Sequence, residues 1–382
     1  MKKGDRMKRS GLDVETGSPI EVEFEREIAE VRSAEAMEDG PWLAPGFVDI
    51  QVNGFAGVDF NDPDASQQQI GLAIETIIRT GVTRCLPTVI TGGPEAMLQC
   101  LANLRAAQKS LRVGKAIAGF HVEGPYIGEE DGPRGAHPRR WVRHPDVGEF
   151  RRWQEATDGN IRLITLSPHW PEAPAYIEAI TREGVTASIG HTGATAEQIA
   201  AAVDAGATLS THLGNGAHAV MRRHPNYIWD QLAEDRLSAS FIVDGIHLGP
   251  AFLKTALRAK TVTRTVLVTD ASAPAGAKPG RYRLGEQDAD LTEDGRVVLA
   301  GTDKLAGSAL RMDTGIANLV RFGGLSLRDA VRTATVNPAQ IVRLAGRMEG
   351  LVPGERGDMV AFRFDDGAIS VESVYIDGER MV

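Results

Sequence analysis

Short runs of near-continuous apolar residues alternate along the chain with longer stretches in which apolar residues recur every three or four positions. Segments 47–53, 83–90, 115–123, 161–167, 185–191, 207–212, 238–243 and 265–270 have the first pattern and predict strands. Segment 64–80 has the second: Ile70, Ala73, Ile74, Ile77 and Ile78 share one helical face, and Gly81 stops the helix. Segments 95–109, 172–183, 195–205 and 250–259 likewise predict helices. Apolar strands joined through helices imply a parallel sheet covered on its outer side. Eight of them imply an α/β protein built on a closed (β/α)8 TIM-like barrel. No G-x-G-x-x-G follows the first strand, which weighs against an open dinucleotide-binding sheet.

Both ends depart from this rhythm. Segments 20–24, 359–364 and 369–376 read as strands with no long helix between them, and neither end can bury a core alone. Together, residues 1–44 and 346–382 are expected to form a small β-sandwich domain against a barrel spanning 45–345. Segment 280–299 reads as an inserted hairpin.

Composition narrows the function classes. With 42 Lys and Arg against 51 Asp and Glu among 382 residues, the net charge is −9, which argues against a nucleic-acid partner. An anionic ligand must then be held by a few local cations. No apolar run approaches the roughly 20 residues that span a bilayer, and the first 13 residues are polar and charged, so neither membrane nor secretion is expected. Two cysteines, Cys85 and Cys100, make no disulfide framework and fit a reducing cytoplasm. Glycine is in excess, 42 residues, which implies many tight turns.

In a parallel barrel the reactive groups project from the C-terminal strand ends. Here those ends carry Glu123, His191, His212 and Asp270. A single histidine at such a place more often caps a loop. Two on consecutive strands lie side by side, and with a carboxylate they make a zinc-type site with an open position. Asp270 reads better as an acid/base beside that site than as a ligand, with a helix N-cap as its plain alternative. Neither G-x-S-x-G nor a P-loop occurs.

The ordered motifs are more specific. Pro45-Gly46-Phe47-Val48-Asp49, His121-x-Glu123-Gly124-Pro125, Gly190-His191-Thr192, Thr211-His212-Leu213, Asp244-Gly245-Ile246-His247, Val268-Thr269-Asp270 and Ala306-Gly307-Ser308 appear in this order. The chain thereby resembles the N-acetylglucosamine-6-phosphate deacetylases of the amidohydrolase superfamily. The resemblance implies a barrel of the amidohydrolase type. It also implies one divalent metal ion per subunit, zinc in character with iron, cobalt or manganese compatible, held by Glu123, His191 and His212. Asp270 would be the catalytic acid/base and His137 would polarise the acetyl carbonyl. Ala136, Asn215, Gly216 and Leu305 would contact the sugar, while His247 and Arg223 would meet the 6-phosphate. Because that arginine comes from a neighbouring subunit in the family, a homodimer is implied.

Three departures qualify this. The strand-one His-x-His of two-metal relatives is replaced by Gln51 and Asn53, neutral amides that suit one metal rather than two. The aromatic that the family places after Thr-His-Leu is Gly214, which is expected to widen the site near the sugar. Arg222 competes with Arg223 for the phosphate. Another N-acyl sugar, an N-acyl amino acid or a cyclic amide is the alternative substrate.

Overall fold

In the computed structural model, which describes residues 6–35, 37 and 39–382, eight parallel strands follow one another around a barrel. They are Phe47–Val52, Val82–Ile90, Phe120–Glu123, Ile161–Leu166, Thr186–Ile189, Ala207–Ser210, Ser238–Ile242 and Thr265–Val268. Each pairs with its successor in sequence, as short crossovers favour. The eighth meets the first through the Val52–Ala271 bridge and a 2.9 Å bond from the Asp270 N–H to the Gln51 carbonyl. Val48, Ile50, Leu86, Leu163, Leu209, Ile242, Val266 and Val268, from six of the strands, form the cluster that plugs the barrel.

A second core lies between strands and helices. The first helix, Gln67–Ile78, begins at a Ser66 capping box and buries the five residues of its predicted apolar face. The helices Val147–Ala156 and Tyr227–Ala233 are among those that the sequence pattern does not announce. The third strand is shorter than its apolar run. Arg112–Ala116 coils into a 3-10 turn, and Gly119, at φ +153°, separates that turn from the strand at Phe120.

Both termini join one seven-stranded sheet. Its order is Glu379–Arg380, Ala368–Ile376, Met359–Asp365, Trp42–Pro45, Met7–Asp13, Pro19–Phe24 and Ile28–Ser33. The sheet curls on itself: Phe24 and Tyr375 meet edge to face at 5.1 Å although three strands separate theirs. The enclosed core holds Ile20, Val22, Leu43, Met359 and Ala361. Its other face carries Phe362, which packs on Phe47 at the base of the barrel.

Segment 280–299 is a three-stranded antiparallel sheet, Gly280–Leu284, Gln287–Leu291 and Val297–Leu299, rather than a plain hairpin. Leu284, Ala289, Leu291 and Val297 pack with Ala306 against Ile90 and Ala136, so the insertion covers the C-terminal rim. Among the described residues no helix is long and apolar enough to cross a membrane. Both cysteines are buried and free.

Candidate active site

Glu123 ends the third strand, and His191, His212 and Asp270 lie two residues beyond the fifth, sixth and eighth. The last three take positive φ angles of 49°, 30° and 48°, a conformation non-glycine residues avoid at a cost of about 1–3 kcal/mol each. Backbone bonds impose it. The His191 carbonyl accepts from the Gly128 N–H at 2.8 Å, and the His212 N–H donates to Ser240 Oγ at 2.8 Å. The Asp270 carbonyl accepts from the Ser308 N–H at 2.9 Å. The sharp turns aim all three side chains over the barrel mouth.

Three ligand atoms converge there. Glu123 Oε1 lies 3.2 Å from His191 Nε2 and 2.9 Å from His212 Nε2, and the two nitrogens are 3.1 Å apart. Donors about 2.1 Å from one ion stand roughly 3.0–3.4 Å from each other, so the triangle has the size a divalent cation requires. Its chemistry agrees. His191 Nδ1 donates to the Pro133 carbonyl at 2.8 Å, which leaves Nε2 as a bare lone pair facing a carboxylate oxygen. Two acceptors so placed repel unless a proton or a metal ion lies between them. His212 Nδ1 is buried without a partner, so the polar contacts of that ring are made through Nε2 alone. Among the described residues this is the one group of three or more His, Cys, Asp and Glu placed to hold an ion.

The surrounding fields are strong because the site is buried. Burial alone would raise the Glu123 carboxyl, but positive charge on His191 and His212, where a proton takes the place between Nε2 and Oε1, holds it well below the usual range. Burial, then the neighbouring Glu123 charge, pushes Asp270 up to about 6. Burial and the adjacent His191 keep His137 neutral, far below the ordinary imidazole range. His137 Nε2 is 3.2 Å from His191 Nε2, and its Nδ1 is 2.8 Å from Thr91 Oγ1.

The cavity over this triangle, about 120 Å³, is lined by Glu123, His191, His212, Asp270 and His137 together with Ala136, Asn215, Gly216, His247 and Leu305. His247 Nδ1 sits 2.6 Å from Asp244 Oδ2, which fixes the ring. Arg222 and Arg223 do not line it; both are exposed on the loop after the sixth strand. Gly216, at φ +55°, lies so close to His191 that a Cβ would stand 2.6 Å from Nδ1.

Position 214 corrects an expectation. It does not line the cavity, and a Cβ there would meet Phe252 Cε1 at 2.8 Å and Leu248 Cδ2 at 2.9 Å. The Phe252 ring already fills that space, so the glycine does not widen the site. The site also contains residues that motif reasoning left without a role: Asn53, Ile90, Leu284 from the inserted sheet, and Thr91 behind His137. Gln51 Nε2 bonds Glu123 Oε1 and Asp270 Oδ1, and Asn53 Nδ2 bonds Asp270 Oδ1. Sequence separations of 72 and more hide these contacts.

Known proteins share this arrangement. The amidohydrolase family matches residues 42–381. The N-acetylglucosamine-6-phosphate deacetylase of Bos taurus is 34% identical over 392 residues, covering 99% of this chain and 92% of its own. The N-acetylgalactosamine-6-phosphate deacetylase of Escherichia coli O157:H7 is 32% identical, with coverages of 89% and 88%. In three dimensions, a mutant N-acetyl-D-glucosamine-6-phosphate deacetylase from Mycobacterium smegmatis, solved in complex with N-acetyl-D-glucosamine-6-phosphate, superposes with a TM-score of 0.88. That protein is 32% identical, and the match covers 99% of this chain and 100% of the other. By matched family, by identity over nearly its whole length and by fold, the chain belongs to the N-acetylglucosamine-6-phosphate deacetylases of the amidohydrolase family.

Proposed function

We infer that the protein hydrolyses the acetamide of N-acetylglucosamine-6-phosphate, releasing acetate and glucosamine-6-phosphate. The observation that carries this reading is the convergence of Glu123, His191 and His212, with Asp270 beside them, in a chain one-third identical to deacetylases along nearly its full length. A divalent ion held by those three residues, zinc by donor type, would supply Lewis acidity and lower the pKa of a bound water. The remaining work belongs to the chain. Asp270, buried and held near neutrality, takes a proton from the attacking water and returns it to the departing amine. His137 presents Nε2–H to the acetyl oxygen as negative charge builds there. For that, Nδ1 must accept, and Thr91 Oγ1, at 2.8 Å, is the donor.

Ala136, Asn215, Gly216 and Leu305 form the sugar subsite, and His247, in the lining of the same cavity, meets the 6-phosphate. Arg223, exposed on its own chain, reaches the phosphate of a neighbouring subunit in a homodimer and supplies the local cation that a chain of net charge −9 needs. Barrel and terminal sheet divide at about residues 44 and 346, and both cysteines being free suits a reducing cytoplasm.

The test is acetate release by the zinc-loaded protein. N-acetylglucosamine-6-phosphate is expected to turn over much faster than N-acetylglucosamine or an N-acetyl amino acid. Equal rates with and without the phosphate would overturn the phosphate subsite. The 32% identity to an N-acetylgalactosamine-6-phosphate deacetylase favours one second reading, the C4 epimer, which the same assay ranks directly.

A further inference from the structure

Gln51 and Asn53 lie on and just after the first barrel strand, 1% and 2% exposed. Gln51 Nε2 donates to Glu123 Oε1 at 3.0 Å and to Asp270 Oδ1 at 3.1 Å, which uses both of its hydrogens. Asn53 Nδ2 donates to the same Asp270 oxygen at 2.7 Å. Chemistry fixes the orientation of both amides, because an amide oxygen turned towards a carboxylate would set acceptor against acceptor. Asp270 Oδ1 therefore receives two N–H groups, and among the described residues no donor reaches Oδ2.

We propose that Gln51 and Asn53 are positioning residues with separable roles: both pin Asp270 through Oδ1, so that Oδ2 alone carries the proton, and Gln51 also fixes the cation ligand Glu123. This rests on the reading of Asp270 as the acid/base. The amides thus do with hydrogen bonds what charged ligands on the first strand would do with a second cation. They hold two buried carboxylates at fixed separation without sharing a metal between them. Asn53 touches only the proton carrier, whereas Gln51 touches both the proton carrier and a ligand, so the two substitutions leave different signatures.

The experiment measures zinc affinity by competition with a chromophoric chelator, and kcat and KM by acetate release, for the parent, Gln51→Ala and Asn53→Ala. Loss of a group that orients a metal ligand weakens binding about 10–100-fold, so Gln51→Ala is expected to lose zinc affinity on that scale and kcat as well. Asn53→Ala is expected to keep parental zinc affinity and a KM within about twofold while kcat falls about 10–100-fold, the usual result of a mis-set catalytic group. Asn53→Leu, nearly isosteric but without the donor, is expected to lose kcat similarly and replaces Asn53→Ala if that variant does not fold. Parental kcat in the Asn53 variants, or equal zinc loss in Gln51→Ala and Asn53→Ala, overturns the proposal. If the parent itself released no acetate, the functional reading would fall, and the zinc contrast between the two variants alone would decide the inference.

Discussion

Asp358 ties the terminal sheet to the barrel, and removing its charge has a calculable consequence. The side chain is fully buried. It pairs with Arg84 Nε at 3.1 Å and Arg356 Nε at 3.3 Å, and accepts from the Asp377 N–H at 2.8 Å. Arg347, also buried, donates to the Asp358 carbonyl at 2.9 Å and to the Gly46 carbonyl, and burial pushes its guanidinium down to about 10. Asp358→Asn keeps the shape and leaves three guanidinium groups around a neutral amide. Breaking a buried pair by removing one partner costs about 3–5 kcal/mol. With an unfolding entropy of roughly 0.8 kcal/mol/K for a chain of 382 residues, the melting temperature should fall by about 4–6 °C. Burial opposes ionisation of Asp358, but Arg84 and the other guanidinium groups hold its folded pKa below the usual range. Its stabilisation is therefore complete above the unfolded value of about 3.9 and is lost as pH falls through the folded one. Calorimetry from about pH 7 to about pH 3.5 should show a gap between parent and variant that is constant down to about pH 4 and begins to narrow only at the acid end. Zinc content should not change, because this cluster lies at the opposite end of the barrel from the site. A gap under about 1 °C near neutrality, or one that already closes above about pH 4.5, would refute the reasoning.

Other outcomes follow from the site. Arg223→Ala and His247→Gln should each lower kcat/KM for the phosphorylated substrate by about 10–100-fold, the worth of a charged hydrogen bond, and leave N-acetylglucosamine nearly unaffected. Arg222→Ala should do neither. Thr91→Val removes the donor to His137 Nδ1 and should cut kcat about tenfold, while Thr91→Ser, which keeps the hydroxyl, should be close to the parent. Gly216→Ala drives a methyl to 2.6 Å from His191 Nδ1 and strains a φ of +55°, so chelator competition should show weakened zinc binding. Parental zinc affinity there would mean that the ring has room to move.

Much of this was legible in the sequence because barrel topology converts strand ends into one rim. Glu123, His191, His212 and Asp270 end four apolar runs, and the fold does the rest. The helical face of 64–80 was equally plain, since all five of its predicted apolar positions are buried. What escaped depends on contacts that periodicity does not encode. Gln51 and Asn53 read only as missing ligands, because their donor role depends on Asp270 more than 200 residues away. Gly214 suggested an enlarged pocket only because Phe252, from the following crossover, is invisible as its replacement. The third strand of the inserted sheet, Val297–Leu299, is too short to announce itself. Leu284 joins the cavity through tertiary packing alone.

The central claim is that Asp270 moves the proton and is not a ligand of the cation. Zinc content and acetate release, measured together on Asp270→Asn, test it most directly. The account predicts parental zinc per chain with kcat reduced by about 10²–10⁴, the usual worth of a positioned acid/base. Zinc lost along with activity, or turnover retained with zinc in place, would contradict it.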